Sequence, residues 1–276
     1  MPRRTTAIAA ALSVLALGSP LITANANPLA TQYFDQGVEK YDAGNYQGAI
    51  ADFSKAIEIN PQDASAFLNR GAVKTKLGDY LGSIADFTRA LEINPDYANA
   101  FHNRGAAKAE LGDYQGAIAD YNKAIEVNPK DTVAYYNRGN AKSDLGDYKG
   151  AIADNTTAIK INPKLALAYY NRGNAKFSLE DHQGAIADYN KSIEINPRHG
   201  NVYGNRGNAK AESGDYQGAI ADYNKALEIN PQNASTYVNR GVASALVNDL
   251  QGACDDWRKA AGLGKEDAAE WVKEHC

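Results

Sequence analysis

The chain has 276 residues, of which 44% are hydrophobic and 22% are charged, and its formal net charge is −4. This length is typical of one or two globular domains. The acidic balance gives no electrostatic support for nucleic acid binding. Beyond the N-terminal segment, no stretch approaches the roughly 20 consecutive apolar residues of a membrane span.

The N-terminal segment differs in composition from the rest of the chain. Arg3 and Arg4 precede an apolar run of eleven residues, and Ala24 and Ala26 place small side chains on either side of one asparagine. A basic start, an apolar run and small residues at a cleavage site are typical of a secretory signal peptide, although a core helix is the alternative. We therefore expect residues 1–26 to be removed on export to a periplasm or comparable lumen, or on secretion. Loss of both arginines then changes the net charge from −4 to −6.

After this segment the sequence repeats itself every 34 residues. A glycine followed by a small residue, an Asn-Arg-Gly triplet and a proline each recur with this period. The triplets begin at Asn69, Asn103, Asn137, Asn171, Asn205 and Asn239. A fixed period of this length indicates stacked units of supersecondary structure that share one continuous core.

Each period predicts two helices, as the stretch 98–131 illustrates. Apolar residues at helical spacing end at Leu111, where Gly112 follows as a helix-ending residue. Asp113 then stands where a second helix needs an N-cap. A second apolar stripe runs to Pro129, which cannot continue the helix because it lacks an N–H.

In the same stretch Phe101, Gly105, Ala117, Tyr121 and Pro129 have the spacing of the tetratricopeptide repeat (TPR) signature. The chain resembles the TPR family over seven repeats. This resemblance implies an all-α fold, a right-handed superhelix of helix pairs, with a C-terminal capping helix. The predicted repeats are 30–63, 64–97, 98–131, 132–165, 166–199, 200–233 and 234–267, and the predicted cap is 268–276.

In TPR proteins the first helices of the repeats line a concave groove, so the resemblance implies an asparagine ladder in that groove. A second row of asparagines follows one position after the glycine, and two tyrosines offer aromatic contacts. An amide side chain can both donate to and accept from a peptide backbone. The open alternative is that these asparagines make hydrogen bonds between repeats. The candidate groove residues are Asn69, Asn103, Asn137, Asn171, Asn205, Asn239, Asn140, Asn174, Asn208, Tyr136 and Tyr170.

Two charged rows are interpreted as structural. Arginine precedes the glycine where TPR repeats usually have leucine, and lysine follows it where they usually have tyrosine. The arginines recur in phase with aspartates of the second helices, so each arginine is expected to meet an aspartate inside the stack, where unpaired charges are costly. TPR domains that clamp the carboxylate tail of chaperones need further basic residues, at positions that here include Leu68, His102 and Tyr136. The clamp is therefore incomplete.

Two cysteines and three irregular positions depart from the repeated pattern. Cys254 and Cys276 are the only cysteines, and an even count in an exported chain favours a disulfide between them. Asn155 replaces an aromatic residue, Glu180 replaces a turn glycine, and Ser213 replaces a leucine expected in the core. We expect lower local stability in repeats four to six.

No constellation of residues points to catalysis. The four histidines lack metal-ligand spacing, and the glycines fall at turn and packing positions. We therefore expect no enzyme activity, no cofactor and no metal. The hypothesis is a non-catalytic scaffold that binds a protein or peptide in the TPR groove, with no membrane insertion after signal cleavage. One alternative is an assembly factor or structural subunit of a larger, membrane-associated complex, which would use the convex face or the ends; a non-catalytic enzyme subunit is another. The oligomeric state stays open.

Overall fold

A computed structural model describes residues 27–276. Within this range the secondary structure consists of fifteen α-helices without strands. The expected signal peptide, residues 1–26, lies outside the described residues. None of the helices in the described range is long and apolar enough to cross a membrane.

The helices form two compact units, divided between Leu145 and Gly146. In the first unit the structure describes seven helices: α1 (Pro28–Asp42), α2 (Tyr46–Ile59), α3 (Ala64–Lys76), α4 (Tyr80–Ile93), α5 (Ala98–Glu110), α6 (Tyr114–Val127) and α7 (Thr132–Asp144). The second unit has eight: α8 (Tyr148–Ile161), α9 (Ala166–Ser178), α10 (His182–Ile195), α11 (Gly200–Glu212), α12 (Tyr216–Ile229), α13 (Ala234–Leu246), α14 (Leu250–Gly262) and α15 (Glu266–His275). The division into repeats with the predicted boundaries stays a prediction.

Local sequence sets the short turn inside each helix pair. Gly112 ends α5 with a φ of 82°, a left-handed conformation that costs glycine little. The side chain of Asp113 then accepts a hydrogen bond from the backbone N–H of Gly116 at 2.9 Å and caps α6. The helix end and the N-cap expected at these two residues are therefore confirmed, and the other pairs use the same combination with few exceptions.

The two helices of a pair are antiparallel and lie close together. In the pair α3–α4, Gly71 lies under the ring of Phe87, while Lys74, one turn later, reaches the carbonyl of Gly82 at the start of α4. A Cβ atom at Gly71 would lie 2.7 Å from the ring, so only glycine allows this approach. Aromatic residues of second helices therefore pack against glycines of first helices, and alanines of first helices such as Ala66 and Ala100 are also buried in the core.

The three irregular positions have different outcomes. Glu180 does adopt the left-handed conformation of the glycine that it replaces, with a φ of 62°. Asn155 is buried, and its Oδ1 atom has no hydrogen-bond partner, which is costly in a core. The expectation for Ser213 is wrong, because the leucines that occupy its position elsewhere, such as Leu77 and Leu111, are 43% and 49% exposed. Serine at this position therefore removes no core side chain.

Candidate functional site

In the first unit the asparagine ladder is buried. Asn69, Asn103 and Asn137 are only 1%, 8% and 4% exposed. Asn69 donates to the carbonyl of Ser65 in its own helix at 3.0 Å, and Nδ2 of Asn137 lies 3.3 Å from Nε2 of His102. The expectation that these three asparagines line an open groove is corrected accordingly. Their amides belong to the interior.

In the second unit the two asparagine rows meet in hydrogen-bonded pairs. Nδ2 of Asn205 in α11 donates to Oδ1 of Asn174 in α9 at 2.8 Å, and also to the hydroxyl of Tyr170 at 3.0 Å. The same bond joins Asn239 in α13 to Asn208 in α11 at 2.9 Å. All four asparagines are half-buried, so each pair both joins consecutive first helices and reaches the surface.

Tyrosines of the second helices hold these pairs in place, which the sequence analysis missed. The hydroxyl of Tyr189 donates to Oδ1 of Asn174 at 2.8 Å, and that of Tyr223 donates to Oδ1 of Asn208 at 2.9 Å. The sequence does contain a pattern that could have predicted this contact, because both of these helix pairs combine a second-row asparagine with a tyrosine in the second helix. In the pair α3–α4 the corresponding residues are Ala72 and a phenylalanine, which can form no such bond.

Each asparagine pair leaves at least one donor and one acceptor unused. Both Nδ2 hydrogens of Asn205 and both lone-pair directions of Oδ1 in Asn174 are engaged, so Oδ1 of Asn205 and Nδ2 of Asn174 remain available. Reversing both amides together exchanges the two roles but leaves the same complement. The pair Asn208–Asn239 leaves Oδ1 of Asn239 and Nδ2 of Asn208, and also the second Nδ2 hydrogen of Asn239, because Gly204 stands at the position of Tyr170.

The remaining candidate groove residues are less open than the sequence analysis assumed. Tyr170 packs its ring edge-on against His199, with 5.1 Å between the ring centroids, and its hydroxyl is bound by Asn205. It therefore serves packing at least as much as recognition. Tyr136, Asn140 and Asn171 are half-buried.

The expected pairing of arginines with second-helix aspartates is confirmed within the units. Nε and Nη2 of Arg104 bind Oδ2 and Oδ1 of Asp120 at 2.9 and 2.7 Å. On its other side Nη1 donates to Oγ1 of Thr88 in the preceding second helix at 3.1 Å. The guanidinium therefore ties α4 to α6, and its carbon lies 5.7 Å from the ring centroid of Phe101. The other such pairs are Arg70–Asp86, Arg172–Asp188, Arg206–Asp222 and Arg240–Asp256.

One buried histidine lies between helix pairs in the first unit. The ring of His102 contacts Tyr121 edge-on, its Nε2 atom faces Asn137, and its Nδ1 atom lies 3.8 Å from the carboxylate of Asp131. Burial lowers the pKa of His102 below its usual range, and the carboxylate of Asp131 opposes that shift. The equivalent position in the preceding first helix is occupied by Leu68, which is a core residue. The histidine therefore replaces a core side chain.

The last helix packs on the end of the second unit. Trp271 of α15 contacts Trp257 of α14 edge-on, with 5.5 Å between the ring centroids. Cys254 and Cys276 have their Cα atoms 5.7 Å apart, within the range that a disulfide can bridge. Formation of that disulfide in the protein's own compartment stays a prediction.

The repeated sequence decides the family. Models of the TPR repeat match residues 37–78, 73–112, 107–146, 139–179 and 207–246, and a tetratricopeptide repeat model matches 166–199. The chain belongs to the tetratricopeptide repeat family. No curated protein shows significant sequence similarity to this TPR protein.

Several solved structures share the fold. A tetratricopeptide repeat protein from Parabacteroides merdae is similar with a TM-score of 0.68 and 23% identity, over 90% of this chain and 98% of its own. YrrB, described as a TPR protein with an unusual peptide-binding site, matches with a TM-score of 0.58 and 24% identity over 68% of this chain and 97% of its own. MamA matches with a TM-score of 0.56 and 26% identity over 60% of this chain and 96% of its own.

Proposed function

We propose that this TPR protein is a non-catalytic scaffold that binds an extended segment of a partner protein along the first helices of its second unit. The proposal rests on two half-buried pairs of hydrogen-bonded amide side chains, Asn174–Asn205 and Asn208–Asn239. Each pair presents at least one unused donor and one unused acceptor, the complement that one peptide unit requires. Peptide binding by YrrB, a protein of the same fold, agrees with this use of the fold.

The physical advantage of these pairs is preorganisation. Tyrosine hydroxyls and neighbouring asparagines hold each amide in place before a ligand arrives, so little side-chain entropy is lost on binding. A backbone ligand contributes regularly spaced N–H and C=O groups whatever its side chains are. Such a surface is expected to recognise an extended backbone, while neighbouring side chains supply the selectivity.

The proposal is tested with the double variant Asn174→Ala, Asn208→Ala. Alanine stands at the equivalent positions 72 and 106 of the first unit, so the substitution is compatible with the fold. A partner is first captured by the mature protein, and a peptide of its bound segment is then titrated by calorimetry. Loss of two hydrogen bonds of about 1 kcal/mol each predicts roughly thirtyfold weaker binding.

The matched control is Asn190→Ala, Asn224→Ala. These asparagines each accept one hydrogen bond from an arginine of the next helix pair, but they lie on second helices. The control variant therefore loses the same number of bonds between helix pairs and should keep wild-type affinity. If both variants bind the peptide like the wild type, the asparagine rows are purely structural and the proposal is wrong.

Export and the disulfide belong to the same proposal. Cleavage after Ala26 would leave Asn27 at the N-terminus, and Asn27 is the residue whose side chain caps α1 by accepting from the N–H of Leu29 at 3.0 Å. The first helix would therefore keep its cap in the mature protein. N-terminal sequencing of the protein from fractionated cells should find Asn27 first in the exported fraction, whereas an intact Met1 would contradict export.

One feature favours the alternative of an assembly subunit that docks through its end. Val242, Leu246 and Leu250, at the end of α13 and the start of α14, are 38%, 55% and 60% exposed. At the position of Leu246 the earlier first helices carry polar residues such as Glu110 and Glu212. If this surface is an interface, Leu246→Glu abolishes the association seen in light scattering or partner capture. The asparagine variants should leave that association unchanged.

A further inference from the structure

Within the two units, four helix pairs place two cations on one buried carboxylate. In the pair α5–α6, Arg104 holds Asp120 in a bidentate arrangement, and Nζ of Lys108 lies 2.8 Å from Oδ2 of the same aspartate. The carboxylate is 5% exposed and the lysine side chain 22% exposed. Each such triad therefore has one surplus positive charge near the surface. The other three triads are Arg70–Lys74–Asp86, Arg172–Lys176–Asp188 and Arg206–Lys210–Asp222.

The chain itself shows that one cation satisfies the aspartate. In the pair α13–α14, Arg240 binds Asp256 at 2.7 and 2.5 Å although Ser244 stands at the lysine position. In the pair α1–α2, Gln36 stands at the arginine position, and Asp52 is bound by Lys40. The second cation of a triad is thus not required by the ion pair, and it lies beside a like charge.

The triads lie beside second helices, whereas the asparagine pairs join first helices. Each arginine reaches an aspartate in its own second helix and a hydroxyl or amide oxygen in the preceding one, as Arg172 does with Asp188 of α10 and Thr156 of α8. It therefore lies in a seam between two successive second helices. The guanidinium group of each triad also lies over an aromatic ring of its own first helix. For example, the guanidinium carbon of Arg172 is 5.6 Å from the ring centroid of Tyr169.

We propose that these four cationic seams bind acidic side chains of a partner protein. The ammonium group of each lysine has three donors, and the arginine Nη1 has a second hydrogen, so both can donate to an incoming carboxylate. Charge complementarity identifies the occupant, because each seam has an unneutralised cation although the whole chain has a net charge of −4. The surface is distinct from the asparagine pairs, so this inference does not depend on the proposed function.

A second set of lysines, the rim lysines, lies exposed on the second helices, but these lysines do not offer an unpaired positive charge. Lys123 is bound to Glu126, Lys191 to Glu194 and Lys225 to Glu228, each three residues further along the same helix. These lysines are more exposed than those of the triads, with more than half of each side chain accessible. They are neutralised locally and provide a matched control set.

The test measures binding of a fluorescent oligoglutamate peptide to the full mature chain by anisotropy, over a range of salt concentrations. The seam variant carries methionine in place of four lysines: Lys74, Lys108, Lys176 and Lys210. The control variant carries methionine in place of Lys123, Lys191 and Lys225, and of Lys55, which is exposed at the same repeat position in α2. Wild type should bind in a salt-dependent manner, and the seam variant should bind at least about tenfold more weakly. The control should stay within about twofold of the wild type, since it removes the same charge from groups that are already paired or solvated.

A gain of function keeps the test decisive if the seam variant folds poorly. Ser244→Lys recreates a triad with Arg240 and Asp256 and should tighten peptide binding. Equal losses in the seam and control variants would overturn the proposal, as would absence of binding by the wild type. Equal affinity for a single-stranded oligodeoxythymidine would also overturn the assignment to an acidic protein. The variant Asn174→Ala, Asn208→Ala keeps all four triads, so it should retain the salt-dependent part of oligoglutamate binding, which separates this result from that of the proposed function.

Discussion

Replacing Gly173 by alanine should destabilise the second unit, although alanine is the better helix former. A Cβ atom at this position would lie 2.7 Å from Cε1 and 2.9 Å from Cδ1 of Tyr189. The ring cannot move away easily, because it is 1% exposed and its hydroxyl is bound to Asn174 at 2.8 Å. Overpacking of this kind costs about 1–3 kcal/mol, against a gain of up to ~1 kcal/mol in helix propensity. The net expectation is a loss of up to about 2 kcal/mol.

Gly204 provides the control, because it also lies within a first helix of the second unit. The nearest neighbouring atom to its added Cβ is Oγ1 of Thr236 at 3.9 Å, which is an ordinary contact. Gly204→Ala should therefore stabilise the protein by up to about 1 kcal/mol. Gly105, whose added Cβ would lie 3.0 Å from the ring of Tyr121, should fall between these two.

The assay must resolve local stability, since arrays of repeats depart from two-state unfolding. Native-state hydrogen exchange of the amides in α9 and α10 reports the loss directly, and urea unfolding followed by circular dichroism reports it globally. Faster exchange in Gly173→Ala, together with unchanged or slower exchange in Gly204→Ala, is the expected result. If Gly173→Ala is as protected as the wild type, the close approach of ring and backbone does not hold this helix pair together.

Three further predictions concern single interactions. Arg206→Met leaves Asp222 with the lysine alone and should cost about 1–3 kcal/mol in urea unfolding, whereas an unchanged midpoint would show the bidentate pair to be dispensable. Because burial lowers the folded-state pKa of His102, the unfolded chain binds the extra proton first, so stability should fall as the pH drops below about 6.5, and His102→Leu should reduce that dependence. An identical pH dependence in the variant would contradict this. Cys276→Ser should lower stability by about 3 kcal/mol in the absence of reductant, and no difference between the two proteins would indicate free thiols.

The fold could be predicted from the sequence because its determinants are local and repeated. Gly112 and Asp113 alone specify one helix end and the next helix start, and the same chemistry recurs every 34 residues. The pairing of arginine with aspartate was predictable for the same reason. The two residues keep a constant separation of 16 along the chain, so one geometry serves every helix pair.

The candidate binding surface could be predicted only in part. Asn103 and Asn205 occupy the same place in the repeat, yet the first is buried and the second is half-exposed. The difference depends on neighbours that vary between helix pairs, such as an alanine in place of Asn174. The prediction that a leucine at the position of Ser213 would be buried was wrong for a similar reason. Helical spacing does not show how far a neighbouring helix covers a given position.

The sequence by itself determined the family, the helix pairs and their turns, since each follows from residues a few positions apart. Only the tertiary structure decided which asparagines are accessible and which oxygen and nitrogen atoms remain unused. It also placed two cations on one carboxylate in the seams between second helices. These features depend on side chains brought together from two or three successive helix pairs, and their surroundings are set by packing rather than by periodicity.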